Sequence, residues 1–271
     1  MRHNVGVRKL LIGVVASLTA ILVAAVAVDF GTTIFAEYRL SRTVRNAAQL
    51  NWDPSAVILG FPFIPQAMRR HYKEVEIKAN DVERPLVGKS SLEATMHSVD
   101  LTYASWLVRP DAPIAVRKLE SRIIVDSAHL GRYLGVKDLM VEAPERETND
   151  ATGGTTESGI SDSHGLVFTG TPTAAGFHKP VSVSVDLSMS GPDQSTLVFT
   201  PTAVLTGPGT ADQSVPEDKK SAVLAAFTSQ LPGQKLPFGV APTSQGARGS
   251  DVIIEGITEG VTIDLRGFRQ T

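Results

Sequence analysis

The 271-residue sequence predicts an α+β fold, a long curved β-sheet behind an N-terminal apolar helix. Three observations lead there. A basic N-terminus is followed by a 19-residue run without a charge, at positions 10–28. Alternating apolar and polar residues recur from position 75 to position 265. Within those alternating stretches the apolar residues twice change from even to odd positions. Successive side chains of a strand point to opposite faces, so a parity change inside a long strand marks a bulge or a sharp bend.

The apolar run comes first. Arg2, Arg8 and Lys9 precede it, with no acid among them. At about 1.5 Å per residue a helix over 10–28 reaches roughly 28 Å, close to the ~30 Å hydrocarbon thickness of a bilayer. The basic flank stays cytoplasmic, so the chain from Asp29 onward faces outward. Residues 1–28 are therefore a signal peptide or a signal-anchor helix. Ala25-Val26-Ala27 fits the small-x-small pattern of signal-peptidase cleavage. The length of the run, and its continuation through Phe30, Ile34 and Phe35, favours an uncleaved anchor. Residues 29–271 are expected to form a single exported domain.

A helix is expected over 29–50, with Phe30, Ile34, Tyr38, Leu40, Val44, Ala47 and Ala48 near helical spacing and Asn51-Trp52-Asp53-Pro54 ending it. A strand at 56–59 leads into Gly60-Phe61-Pro62-Phe63-Ile64-Pro65, and an amphipathic turn over 66–71 leads into the alternation of Val75, Ile77 and Ala79. Leu92, Ala94 and Met96 then give way to Val99, Leu101 and Tyr103. Ile114 and Val116 give way to Leu119, Ile123 and Val125. These are the two parity changes, and they predict the curvature. A short helix is expected at 127–134, and a strand through Leu139 and Val141. Residues 145–165 hold almost no large apolar side chain and read as a flexible polar loop. Val181, Val183, Val185, Leu187 and Met189 alternate with polar residues and pair as a hairpin with the segment holding Leu197, Phe199, Ala203 and Leu205. Residues 216–231 read as an amphipathic helix with Pro216 at its start, and 252–255 and 261–265 as two closing strands.

Composition excludes several function classes. With 42% apolar and 20% charged residues the chain is neither disordered nor a multi-span membrane protein. The absence of cysteine excludes a disulfide scaffold, a thiolate zinc site and a cysteine nucleophile. Lys+Arg 26 against Asp+Glu 28 excludes a globally basic nucleic-acid binder. Without the three cations of the leader, the formal charge of −2 becomes −5.

No catalytic motif stands out. There is no G-x-S-x-G elbow and no S-x-x-K with K-T-G, and the six histidines form no H-E-x-x-H or H-x-H pair. Gly207-Pro208-Gly209 lacks the G-K-[ST] of a phosphate loop. Glu74 and Glu76 share one strand face that reads as solvated. The reading is of a non-enzyme without metal or organic cofactor. The Phe-Pro elements carry more. In Phe61-Pro62-Phe63 and Leu236-Pro237-Phe238, proline fixes a turn while phenylalanine either packs into the core or lines the mouth of an apolar cavity. Arg69 and Arg70 either meet a phosphate headgroup there or form the exposed side of a short helix.

The order of export segment, amphipathic helix, Gly60-Phe61-Pro62-Phe63 with its short helix, the strand through Val75-Glu76-Ile77, and Leu236-Pro237-Phe238-Gly239 before the last strands resembles the LmeA-like phospholipid-binding proteins of actinobacteria. The resemblance covers roughly residues 29–267. It implies a curved antiparallel sheet wrapped around helices, similar to tubular lipid-binding folds. It also implies a cell-envelope protein that binds phospholipid and supports elongation or maintenance of lipomannan-type lipoglycans. Its partners would be phospholipid, the outer face of the cytoplasmic membrane and lipoglycan-synthesising enzymes, with no nucleic acid. The candidate lipid contacts are Phe61, Phe63, Ile64, Arg69, Arg70, Val75, Ile77, Leu101, Leu236 and Phe238. Two competing readings remain: a tethered interaction protein that stabilises an envelope glycosyltransferase without carrying lipid, and an envelope hydrolase or transferase.

Overall fold

The apolar run and the segment after it form a single helix, α1 (His3–Ala47). It belongs to a computed structural model that describes residues 3–84, 86–101, 109–143, 164–207, 209–211 and 213–269, side chains from residue 11 onward. The two helices expected before and after position 29 are one continuous helix, because no proline stands between Leu10 and Asn51 to interrupt helical hydrogen bonding. Its buried stripe is Ala36, Leu40, Val44 and Ala48, spaced four residues apart, while Phe30, Ile34, Phe35 and Tyr38 face outward. Both stripes have helical spacing in the sequence. The one with two alanines lets the helix axis approach the sheet closely. Gln49 then turns left-handed, with φ 51°, and ends the helix.

Among the described residues eleven strands follow: β1 (Ser55–Leu59), β2 (His71–Arg84), β3 (Gly88–Leu101), β4 (Ile114–Val125), β5 (Lys137–Glu142), β6 (Leu166–Thr171), β7 (Val181–Ser190), β8 (Thr196–Leu205), β9 (Ser229–Leu231), β10 (Ser244–Arg248) and β11 (Asp251–Ile263). The other helices are α2 (Phe63–Arg69), α3 (Ser127–Leu134) and α4 (Glu217–Phe227). The fold is α+β, as expected, and its strands fall into two antiparallel sheets. The first, strongly curved, has the order β1-β2-β3-β4-β11-β10; the second has the order β5-β6-β7-β8-β9. Buried side chains from both sheets join one apolar cluster.

The parity changes are a crease across the first sheet. Buried positions jump from Tyr72 to Val75 in β2, from Met96 to Val99 in β3, and from Val116 to Leu119 in β4, all at one level. Pairing continues on both sides without a shift: Tyr72 opposite Val99 and Glu74 opposite His97, then Val99 opposite Val116 and His97 opposite Lys118. Ser98 and Gly260, with φ 50° and 62°, carry the bend in β3 and β11. β2, β3, β4 and β11 bend together at this level, and the pairs on either side of it keep one register. In this sheet the register shifts only between Ala79 and Val82, where Asp81 has φ 55°.

Above the crease, Ile77, Ala94, Ser121 and Gly256 form one row on the inner face. The row narrows to glycine for a reason. A Cβ on Gly256 would lie 2.6 Å from Leu236 Cδ1 and 2.8 Å from Val240 Cγ1, and would also strike the Ala241 carbonyl. The segment around a single 3-10 turn, Pro237–Gly239, thus lies directly on the sheet. In the second sheet, Phe168 and Phe199 meet edge-on at 6.0 Å, and α4 contributes Val223 and Phe227 to the core.

Three expectations need correction. The helix expected over 216–231 stops at Phe227, because Thr228 is extended and Leu231 belongs to β9, paired with Leu197. The two closing strands are one strand, β11, continuous through Gly260 and paired with β10, which was not expected. β6 was likewise not foreseen. The polar loop expected at 145–165 lies outside the described residues except for its last two positions. Tyr103 also lies outside them.

Substituting Gly256 tests the close approach. Gly256→Ala lowers the thermal midpoint and Gly256→Val lowers it further, by the equivalent of about 1–3 kcal/mol for overpacking. A neutral Gly256→Val in a melting curve would show that the 236–240 segment moves aside freely.

Candidate functional site

Asp29, the first charge after the apolar run, has a side chain turned inward and is 5% exposed. Its two carboxylate oxygens accept the backbone N–H groups of Phe63 at 2.9 Å and Ile64 at 2.8 Å. The first turn of a helix leaves N–H groups without partners. Pro62, at the N-cap of α2, offers no side-chain acceptor, so the cap comes from α1, 34 residues earlier. This is why α2 starts at Phe63, ahead of the expected 66. Further along α1, Glu37 accepts the Ile58 N–H at 2.8 Å and the Ser41 hydroxyl donates to the Pro54 carbonyl at 2.6 Å. One face of α1 thus holds both α2 and β1 by their backbones.

Gln66 braces the turn before α2. Its amide N–H donates to the Gly60 carbonyl and its carbonyl accepts the Lys73 N–H at 3.0 Å. Gly60, at φ 108°, sits so close that a Cβ would lie 3.0 Å from Gln66 Nε2. The Phe61–Pro62 peptide bond is cis. At the other end Arg70 turns left-handed, φ 56°, and its carbonyl accepts the Leu101 N–H at 3.0 Å, which joins α2 to the end of β3.

Eight of the ten candidate lipid contacts gather around this corner. Phe61 is exposed and stacks on Phe30, with ring centroids 5.8 Å apart; Phe63 is buried against Tyr72 at 6.0 Å. Ile64 is half-buried, and Arg69 and Arg70 are exposed at the end of α2. Val75, Ile77 and Leu101 are buried along β2 and β3. Leu236 and Phe238 lie elsewhere, on the cover over Gly256, with Phe238 against Phe268 at 5.8 Å. Thus Phe61 faces outward while Phe63 is core, and in the second element Leu236 is buried and Phe238 packs against the core. The inner face is closed over by the chain's own Leu236 and Val240. Two open surface hollows lie apart from these residues. One, of about 530 Å³, is lined by Gly131, Arg132, Val136, Lys137, Leu139 and Thr173; the other, of about 460 Å³, lies beside Met140, Thr169 and Lys179.

The outer face of the first sheet carries an ion ladder. Arg122 donates from Nε to Glu255, which is 1% exposed, and from Nη2 to Glu120 at 2.5 Å. Lys118 reaches Glu120 at 3.0 Å. The His97 ring lies between Glu120 at 3.3 Å and Glu74 at 3.5 Å. Glu74, expected on a solvated face, is thus part of a network that local sequence does not signal, because its members come from β2, β3, β4 and β11. Burial opposes ionisation of Glu120, yet the Lys118 hydrogen bond and the charges of Arg122, Lys118 and His97 outweigh it and hold its carboxyl below the usual range. Burial also works against the charge on Arg122, but Glu255 and Glu120 together raise its pKa.

Two outcomes follow. Asp29→Ala leaves the Phe63 and Ile64 N–H groups unpaired and costs about 1–3 kcal/mol, with faster hydrogen exchange at those two amides. Asp29→Asn, which keeps an acceptor, costs less; equal exchange in all three proteins would refute the clamp. A carboxyl depressed by folding stabilises fully above its unfolded value of 4.5, and that stabilisation is lost as pH falls through the lower folded value. Thermal stability should therefore fall below pH 4.5 and do so less steeply in Glu120→Gln. Asp251, raised by burial, contributes in the opposite sense, so the comparison with Glu120→Gln isolates the ladder.

Neither a curated protein nor a solved structure matches the chain. A family model does, over residues 27–257, and its first matched position falls at the end of the apolar run, two residues before Asp29. The chain belongs to the LmeA-like phospholipid-binding family.

Proposed function

We propose that the chain is a membrane-tethered phospholipid binder of the cell envelope, anchored by α1 and supporting elongation or maintenance of lipoglycans such as lipomannan. The family match supports phospholipid as the ligand. The observation that carries the mode of binding is the curved first sheet, whose inner face presents Val75, Ile77, Ala94, Met96, Leu119 and Ile254, an apolar surface interrupted only by the small residues Ser121 and Gly256 among the described residues of these rows. Acyl chains laid on it would gain about 0.8 kcal/mol per buried CH₂. Arg69 and Arg70, exposed at the end of α2 just ahead of β2, would meet the phosphate. Because Leu236 and Val240 already lie on this face, acyl chains have to lift the 236–240 segment to enter. The basic leader supports an outward-facing domain. The single helix long and apolar enough to cross a membrane, among the described residues, supports the tether.

The covered inner face favours one alternative, a tethered interaction protein that stabilises an envelope glycosyltransferase and carries no lipid. Native mass spectrometry of the full chain, released from detergent micelles, separates the two. About one phospholipid per chain that survives detergent exchange is expected. A folded chain free of lipid, from which a glycosyltransferase nonetheless co-purifies, would overturn the first reading for the second.

A further inference from the structure

Several large exposed apolar side chains lie where α1 leaves the run, apart from Trp52 and Leu86, which are exposed elsewhere. Phe30 and Ile34, one turn apart, share a face of α1, and Phe61 stacks on Phe30. Met68, on the outward side of α2, is 79% exposed. Isolated exposed apolar residues are ordinary, but a contiguous aromatic and aliphatic patch marks a contact surface. The patch is continuous with the apolar run: Phe30 lies two residues past Val28, about 3 Å along the axis. The one charge that would break this continuity, Asp29, is buried under α2. Beside the patch, residues 59–73 hold Arg69, Arg70 and Lys73 and not one Asp or Glu, in a chain whose portion beyond the leader carries −5.

We infer that the α1–α2 corner docks on the bilayer that α1 crosses, with Phe30, Ile34, Phe61 and Met68 among the outer-leaflet lipids and Arg69 and Arg70 on anionic headgroups. The inference rests on reading α1 as a membrane span. Aromatic side chains favour the level of the headgroups, and basic residues beside them are drawn to anionic lipid. α2 is then a collar around the end of the span. It holds the lower edge of the curved sheet against the leaflet from which a phospholipid would be drawn.

The chain has no cysteine, so single labels are clean. Full-length chains carrying Ile21→Cys, Met68→Cys or Met140→Cys, each with a polarity-sensitive fluorophore, are reconstituted into phosphatidylcholine vesicles containing brominated lipid, with and without phosphatidylglycerol. Ile21 reports the span, Met68 the corner, and Met140, exposed on β5, a surface away from it. Quenching at Ile21 and Met68 several-fold above that at Met140 is expected. Phosphatidylglycerol should increase the Met68 signal, and Arg69→Ser with Arg70→Ser should abolish that increase. Quenching at Ile21 with Met68 at the Met140 level overturns the docking and leaves the span standing. No quenching at Ile21 overturns both. A Met68 signal indifferent to phosphatidylglycerol overturns the headgroup assignment, and self-quenching of Met68 labels that grows with protein density, without quenching by lipid, assigns the patch to a second copy instead.

Discussion

The architecture turns on a carboxylate placed where an apolar helix ends. A charged group beside hydrocarbon is costly unless it is paired and shielded. Asp29 meets both conditions by capping a helix whose own N-cap is a proline. The interaction solves two problems at once, an uncompensated charge on α1 and two unpaired N–H groups on α2. It also sets the position of everything after α2, because Arg70 leads directly into β2 and is joined through its carbonyl to the end of β3. The sheet is therefore hung from α1 at a defined height, with Glu37 and Ser41 repeating the attachment to β1 and its lead-in further along.

From that attachment the sheet must curve, and it does so by a shared crease. A bulge in one strand offsets every later pair on that strand. Bending β2, β3, β4 and β11 at the same level preserves the register, which keeps the ion ladder aligned on the outer face and the apolar rows aligned on the inner one. The ladder has a consequence for shape. Glu255 is buried beside Arg122, and removing one member of a buried pair strands the other. The outer face is thus committed to its partners, and only the inner face, closed over by the 236–240 segment, has a cover that a ligand could exchange with.

Local signals made a good part of this readable from sequence. The apolar run, the stop of the helix after it at Asn51-Trp52-Asp53-Pro54, the parity changes, the α3 helix and the β7–β8 hairpin all follow from neighbouring residues. Choices between equivalent local patterns were not readable. Ala36, Leu40, Val44 and Phe30, Ile34, Tyr38 have the same spacing, and only the docked sheet decides which is buried. The start of α2 depends on a carboxylate 34 residues away, which no neighbouring residue signals. In the candidate site, Phe61 and Phe63 stand two residues apart in one motif yet point to opposite environments. Which aromatic belongs to the surface is set by the turn and by Phe30, not by the motif.

The same clamp bears on whether the leader is removed. α1 runs unbroken through Ala25, Val26 and Ala27, and the Asp29 N–H lies within helix that those residues complete. Cleavage after Ala27 would make Val28 the first residue. It would leave the N–H groups of the new first turn, Asp29 included, without partners, and a helix end of that kind frays. Asp29 would then be asked to cap α2 from a fraying turn, beside a new ammonium group competing for its carboxylate. An intact helix holds the carboxylate rigid and leaves both oxygens to Phe63 and Ile64. The geometry that suspends the sheet thus depends on α1 staying helical through residues 25–29, the turn that holds the Asp29 carboxylate against Phe63 and Ile64.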